Sequence, residues 1–432
     1  MKILILAVAA AMSALVIVFP HRKSVVALAA AAVLLGAGFL LPGEGTLTLR
    51  RALLELVNWN ILAIYVGSLV IADLFIYSRV PAVLADRVVE KAPTLGIAIT
   101  AILVITGLVS AFVENVATVL LMAPIALAIC RRMELDPAPF LIGLAVMANL
   151  QGTATLVGDP PSMIFASYAD YGFNDFFFKD GLPSIFFAVQ VGSLVGAAYF
   201  FLYFRKLGKI RMDLPYERIV SWVPTILLVA MIAGLALISF LSGEGLHATS
   251  GILCLALGLA GLLWFVSIRK EPTAKALDLV RRLDWETILF LIGVFIVVGA
   301  IGDAGILDDL AAWMSAVIGG RVFLGFAAVV AVSVLISGFV DNVPYIIAML
   351  PVAGKLASSA GMPDEVLMFG LLIGSCLGGN LTPFGASANV VAVSLVKKAG
   401  RHVSFGEWVR VAGPFTVLTT IASALFVWFV WG

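Results

Sequence analysis

One pattern is written twice in this chain. FVENVATVLLMAP around Asn115 returns as FVDNVPYIIAMLP around Asn342, 227 residues later. The same offset pairs Pro124 with Pro351, Gly152 with Gly379, Thr155 with Thr382 and Gly158 with Gly385. Upstream, NWNILAIYVG matches DWETILFLIG, with Trp59 against Trp285 and Gly67 against Gly293 at an offset of 226, a single-residue gap. The repeated unit is about half the chain, so the fold must be two copies of one plan.

The copies are written in apolar residues. Hydrophobic types make up 62% of the chain, charged types 12%, and the mean hydropathy is +1.12, whereas a soluble domain is roughly 45–50% apolar. The apolar blocks run near the ~20 residues that a helix needs to cross about 30 Å of hydrocarbon. An all-α polytopic membrane protein follows, because helices satisfy their own backbone in lipid. The block at 3–19 lacks a convincing small-residue cleavage site and another apolar block follows at once, so it reads as a transmembrane helix rather than a signal peptide. Cys130, Cys254 and Cys376 are far apart with no CxxC, which indicates neither a disulfide framework nor a metal knuckle. A net charge of +1 gives nucleic acid nothing to hold, and His21, His247 and His402 fall at or near segment ends. No cofactor or metal is indicated.

Each half reads as two plain helices, a third beginning at the Trp motif, a hairpin with a polar centre, an interrupted helix and a closing helix. In the first half, 1–210, these are about 3–19, 24–41, 60–78, the hairpin 96–130, the broken helix 138–168, and 181–204. In the second, 211–432, they are about 222–241, 249–268, 286–302, the hairpin 322–356, the broken helix 366–396, and 408–431. If each hairpin is re-entrant, five transmembrane helices per half remain, an odd number, and the two repeats are inverted. Loop charge tests this, since Lys and Arg collect on the cytoplasmic side. With both termini outside, the cytoplasmic segments hold Arg22/Lys23, Arg79/Arg87/Lys91, Arg131/Arg132 and the loops 205–218, 269–282 and 397–410. These contain 21 of the 27 basic residues. The acidic runs Asp170/Asp175/Asp180 and Asp303/Asp308/Asp309 fall outside. The expected location is a bacterial-type inner membrane.

Inverted repeats with interrupted helices suit secondary transporters, whose substrate site lies near the midplane where the breaks meet. In NLQGTATLVGDPPSM, Gly152 and Gly158 let the backbone leave helical geometry, and Pro160 and Pro161 cannot continue the hydrogen-bond ladder. Thr153, Thr155 and Ser162 supply hydroxyls. CLGGNLTPFGASANV offers Gly378, Gly379, Asn380, Thr382, Pro383, Ser387 and Asn389 in the equivalent place. Small residues can also serve only close helix packing, but packing needs neither Asp159 nor the two asparagines. Glu114–Asn115 and Asp341–Asn342 mark the hairpin turns, with Thr118 and Tyr345 three residues after each Asn. Each Asn can cap the second hairpin helix, contact substrate, or do both.

Carboxylates shielded from water are the groups left to carry proton or Na⁺ coupling: Asp73, Glu114, Asp159 and Asp341. Asp159 stands out because its repeat position is Ala386. An enzyme would need an activated nucleophile or a metal set, and the chain has neither HExxH nor a convincing Ser/His pair.

Through these four motifs nearly the whole chain resembles the group of arsenite permeases and NhaD-type Na⁺/H⁺ antiporters, which includes the melanosomal P protein and belongs to the ion transporter superfamily with the dicarboxylate transporters. The resemblance implies an elevator-type ion transporter fold, often dimeric, with a scaffold and a transport domain built from hairpins and broken helices. It places substrate at Asn115, Thr118, Gly152 to Thr155, Asp159, Asn342, Gly379, Asn380, Thr382, Ser387 and Asn389. The Ser-Asn-Thr signature of the dicarboxylate branch is replaced by Gly-Thr-Ala-Thr and Gly-Asn-Leu-Thr, and no Arg or Lys lies in the four motifs, which disfavours a small multiply charged anion or dicarboxylate. Proton-coupled efflux of arsenite or antimonite, as neutral hydroxides, leads; Cys376 reads as core filler rather than an arsenic ligand. Na⁺/H⁺ antiport of the NhaD type is the alternative. A separate ATPase partner is compatible with the sequence, although the basic loops are too short for a nucleotide-binding domain.

Overall fold

The computed structural model describes residues 2–19, 22–40, 47–208, 218–241, 247–305, 312 and 322–432. His21, Asp308, Asp309 and the 209–217 part of one basic loop lie outside them. In the first half, α1 (Lys2–Val18) and α2 (Lys23–Leu40) lead to α3 (Trp59–Tyr77) and the short α4 (Val80–Lys91). The hairpin α5 (Leu95–Ser110) and α6 (Asn115–Arg132), the broken pair α7 (Pro137–Gly152) and α8 (Pro160–Tyr168), and α9 (Ile185–Phe204) follow. The second half holds α10 (Val223–Leu241), α11 (His247–Ser267), the short α12 (Thr273–Arg282), α13 (Trp285–Asp303), the hairpin α14 (Val322–Ser337) and α15 (Asn342–Ala360), the broken pair α16 (Asp364–Gly378) and α17 (Ser387–Lys398), and α18 (Phe405–Trp431). Helices begin at 115, 137 and 160, and again at 342, 364 and 387, each 227 residues later.

Local sequence sets these starts. Asn58 accepts from the Ile61 N–H at 3.0 Å, and at the repeat position Asp284 accepts from the Thr287 N–H at 3.0 Å. The adjacent tryptophans then bond backward: Trp59 Nε1 donates to Leu53 O and Trp285 Nε1 to Val280 O. Such caps satisfy amides that a helix start leaves open, at about 1 kcal/mol each.

Two sets of elements escaped the sequence reading. Helices α4 and α12, and a turn of helix at Leu49–Arg51 continuing into a π-helical stretch at Ala52–Leu56, occupy segments taken as loops. Both short helices are rich in charge, with Ala85, Val89 and the acid Asp86 buried on α4 and Ala276 on α12, so their helicity is visible in periodicity and not in apolar length. A two-stranded ribbon pairs β1 (Phe178–Lys179) with β2 (Leu182–Pro183).

Ten of the described helices are long and apolar enough to cross a membrane, including the second arm of each hairpin. The halves interlock: α3 packs on α11 and α2 on α13. Here the motif glycines find their use. A methyl group at Gly67 would strike the Cys254 backbone, and one at Gly293 would lie 2.8 Å from the Ala27 oxygen. The broken helices run antiparallel. Asp136, at the start of α7, meets Arg401, past the end of α17, at 3.3 Å. Tyr171, past the end of α8, donates to Glu365 at the start of α16 at 3.2 Å.

Candidate functional site

Each helix break is shaped by two glycines six residues apart. A methyl group at Gly158 would collide with the Gly152 oxygen, and one at Gly385 would lie 2.5 Å from the Gly379 oxygen. The loops therefore fold back on their own entry points, which a side chain would prevent. Pro160 and Pro161 do not end a helix here. They open α8, where the missing N–H groups have no intrahelical partner to lose.

The hairpin tips carry a division of labour that corrects the sequence reading. The acids, not the asparagines, cap the second arms: Glu114 Oε2 accepts from the Ala117 N–H at 2.9 Å and Asp341 Oδ1 from the Val343 N–H at 3.0 Å. Asn115 and Asn342 are instead held from behind, accepting from Ser110 Oγ at 2.8 Å and Ser337 Oγ at 2.5 Å. Each break is then tied to its own tip, Thr155 donating to Ala111 O and Thr382 to Gly338 O.

Between the tips and the breaks lies a cleft enclosing about 530 Å³, solvent-open space included. Four carboxylates line it, on Glu114, Asp159, Asp284 and Asp341, with Lys23 as the cation and Tyr65, Asn115, Asn149, Asn342 and Ser387 among the neutral groups. Lys23 Nζ lies 3.3 Å from Asp341 Oδ2. Asp159 stands at the N-cap of α8 yet its side chain makes no cap bond; the Asn115 side chain bonds it instead. Among the described residues, no three His, Cys, Asp or Glu side chains converge as a metal centre.

Similarity to known proteins fixes the class. A model of the citrate transporter family matches residues 13–374 and, in a second match, 326–431. The chain belongs to the citrate transporter family. Its relatives include a 46 kDa membrane protein of Mycobacterium leprae, 30% identical over 86% of both chains. An uncharacterized transporter of Mycobacterium tuberculosis is 30% identical over 94% of this chain and 93% of its own. The human P protein is 25% identical over 73% of this chain and 46% of its own. The fold is that of the YdaH transporter of Alcanivorax borkumensis, with a TM-score of 0.61 at 14% identity over 96% of this chain and 97% of that one. It also matches MtrF of Neisseria gonorrhoeae, of a class of antimetabolite efflux pumps, with a TM-score of 0.58 at 16% identity over 97% of this chain and 95% of that one. The protein is a membrane transporter.

In this family member the cleft gathers nine of the residues singled out from sequence: Glu114, Asn115, Asp159, Pro160, Pro161, Asp341, Asn342, Gly385 and Ser387. The others are spent on the frame. Thr153 Oγ1 donates to Asn149 O and Ser162 Oγ to Thr153 O. Thr118 bonds Val113 O, and Tyr345 bonds Ser333. Asn380 and Asn389 join Asn149 in a buried amide cluster, Gly152 packs on Asn115, and Gly378 packs on Val334. Asp73 is half-buried on α3 and does not line the cleft, and Cys376 is core. Sequence reasoning missed Lys23, Tyr65, Asn149, Asp284 and Thr287. Asp284 had a visible signal, since NWN becomes DWE between the copies.

Proposed function

We propose that the chain exchanges a small monovalent cation for protons at the acid cleft. The observation that carries this reading is the Asp159 carboxylate, which faces the cleft without a capping duty, at a position where the other repeat has Ala386. Four carboxylates against one lysine attract cations and protons, and a cation and a proton competing for one carboxylate is the simplest way to couple their movement. Free citrate, the anion in the family's name, would meet a cleft of its own sign. Proton-coupled efflux of arsenite or antimonite is the second reading, supported by Asn115, Asn342 and Ser387 in the lining; it stands second because Thr153, Thr155, Ser162 and Thr382 already bond backbone oxygens.

Two inverted repeats, 1–210 and 211–432, are supported by the antiparallel broken helices, and this arrangement suits an elevator-type movement of hairpins and breaks. The basic turns near Arg131 and Arg401 are joined by the Asp136–Arg401 pair, while Trp431 donates to Pro183 O at 3.0 Å beside the acidic loop. That supports a cytoplasmic basic face with both termini outside. The exchange as drawn needs neither an ATPase subunit nor a second copy of the chain.

Proteoliposomes carrying a pH-sensitive dye test the reading. Under an imposed pH gradient, Na⁺ or Li⁺ should trigger proton flux, and Asp159→Asn should abolish it. A flux triggered by arsenite, antimonite or citrate, and not by Na⁺ or Li⁺, would overturn it.

A further inference from the structure

Asn149 lies in the last turn of α7 and is 2% exposed. Its amide has one permitted orientation, because its neighbours leave no choice. Asn389 Nδ2 donates to two backbone oxygens, Gly379 O and Thr382 O, both at 2.9 Å. Carbonyls only accept, so Asn389 must turn its nitrogen toward them and its Oδ1 toward Asn149. Asn380 is oriented the same way, with Nδ2 donating to Val146 O and Oδ1 facing Asn149. Asn149 must therefore offer Nδ2 to both, at 2.8 and 2.9 Å, which uses both of its donors.

What is left over is Asn149 Oδ1. It is buried and has no hydrogen-bond partner among the described residues, and the residue lines the acid cleft. A buried amide oxygen held in one direction without a donor is an uncommon arrangement in a folded protein. It is also what a partly dehydrated cation needs, since hard cations take neutral carbonyl oxygens beside carboxylates in their ligand sets. The repeat position of Asn149 is Cys376. The unpartnered oxygen and the uncapped carboxylate of Asp159 thus both belong to the first break, and the second break offers neither.

We infer that Asn149 Oδ1 is a ligand of the transported cation, with Asp159 supplying the charge and the exchangeable proton site. The inference rests on the cation/proton reading and adds to it a neutral ligand that sets affinity and selectivity between Na⁺ and Li⁺.

The test titrates Na⁺ and Li⁺ separately against proton flux in proteoliposomes of the full chain. Asn149→Leu should raise the half-saturating concentration of both ions at least tenfold and change the ratio between them. Phe369→Leu leaves the amide cluster untouched and opens the buried core away from the cleft; it should lower the melting temperature and leave the Na⁺-to-Li⁺ ratio unchanged. Asn149→Asp keeps an oxygen, adds charge and gives up both donations to Asn380 and Asn389; whatever stability it loses, it should turn Mg²⁺ into a competitor of Na⁺, a gain that structural damage would not produce. If Asn149→Leu lowers only the maximal rate and Asn149→Asp gains no Mg²⁺ competition, the oxygen holds water only and the inference falls while the cation reading stands. Absence of any Na⁺ or Li⁺ response in the unaltered protein removes both.

Discussion

Lys23 is the residue whose placement the sequence concealed most completely. Beside Arg22 and before an apolar run, it reads as one more cytoplasmic charge, yet its Nζ reaches Asp341 at 3.3 Å inside the cleft, with the Phe290 ring 5.3 Å away. A lysine at a helix start can turn either to solvent or inward, and tertiary packing makes that choice. A tethered ammonium in an acid-lined cleft opposes entry of another cation. At an effective dielectric of about 20 and a separation of roughly 10 Å, its removal changes binding by about 1.7 kcal/mol, or roughly fifteenfold. Lys23→Met is therefore expected to lower the half-saturating Na⁺ concentration by about that factor, measured by titrating the proton flux; an unchanged value would mean that Lys23 only braces Asp341.

At the scale of elements, the breaks and hairpins were legible because Gly, Pro and Thr cannot sit at that density inside a lipid-facing helix. Which of their polar groups face the cleft was not legible, because a hydroxyl bonded to a carbonyl and one turned toward substrate have the same letter. Thr155 and Thr382 are the case in point. Replacing either by Val deletes a buried tie between a break and its hairpin tip and should cost about 1–2 kcal/mol, read as a melting point several degrees lower in detergent. The sites are related by the repeat and bond different oxygens, those of Ala111 and Gly338, so the double variant should show close to the sum of the two losses. Glycine substitutions separate geometry from composition. Gly152→Ala drives a methyl group into the Asn115 amide, while a methyl group at Gly36 meets nothing within 4 Å. Gly152→Ala should reduce cation-driven flux by tenfold or more, about the effect of misplacing a binding group by an ångström, and Gly36→Ala should leave flux intact.

For the whole molecule, the two-copy plan was readable from one offset, since the helix starts at 115, 137 and 160 recur at 342, 364 and 387 with the spacing of 227. The interlock of α2 with α13 and α3 with α11 was not, because pairing between copies leaves no mark in either copy beyond a glycine. Functional asymmetry was half visible: Asp159 against Ala386 and NWN against DWE could be read off, and the amide cluster that orients Asn149 could not. Sidedness belongs to this scale. A cysteine introduced at Lys397 should react with an impermeant reagent only from the cytoplasmic face, and one at Asp180 only from outside; reversed labelling would invert the topology. The central claim is that proton and cation share one carboxylate-lined site, and the pH dependence of the half-saturating Na⁺ concentration tests it most directly. Acidification fills the carboxylate with a proton that Na⁺ must displace, so that concentration should rise as pH falls, approaching tenfold per unit for one exchanged proton, with the maximal rate at saturating Na⁺ preserved. A half-saturating concentration that does not move with pH would contradict a shared site.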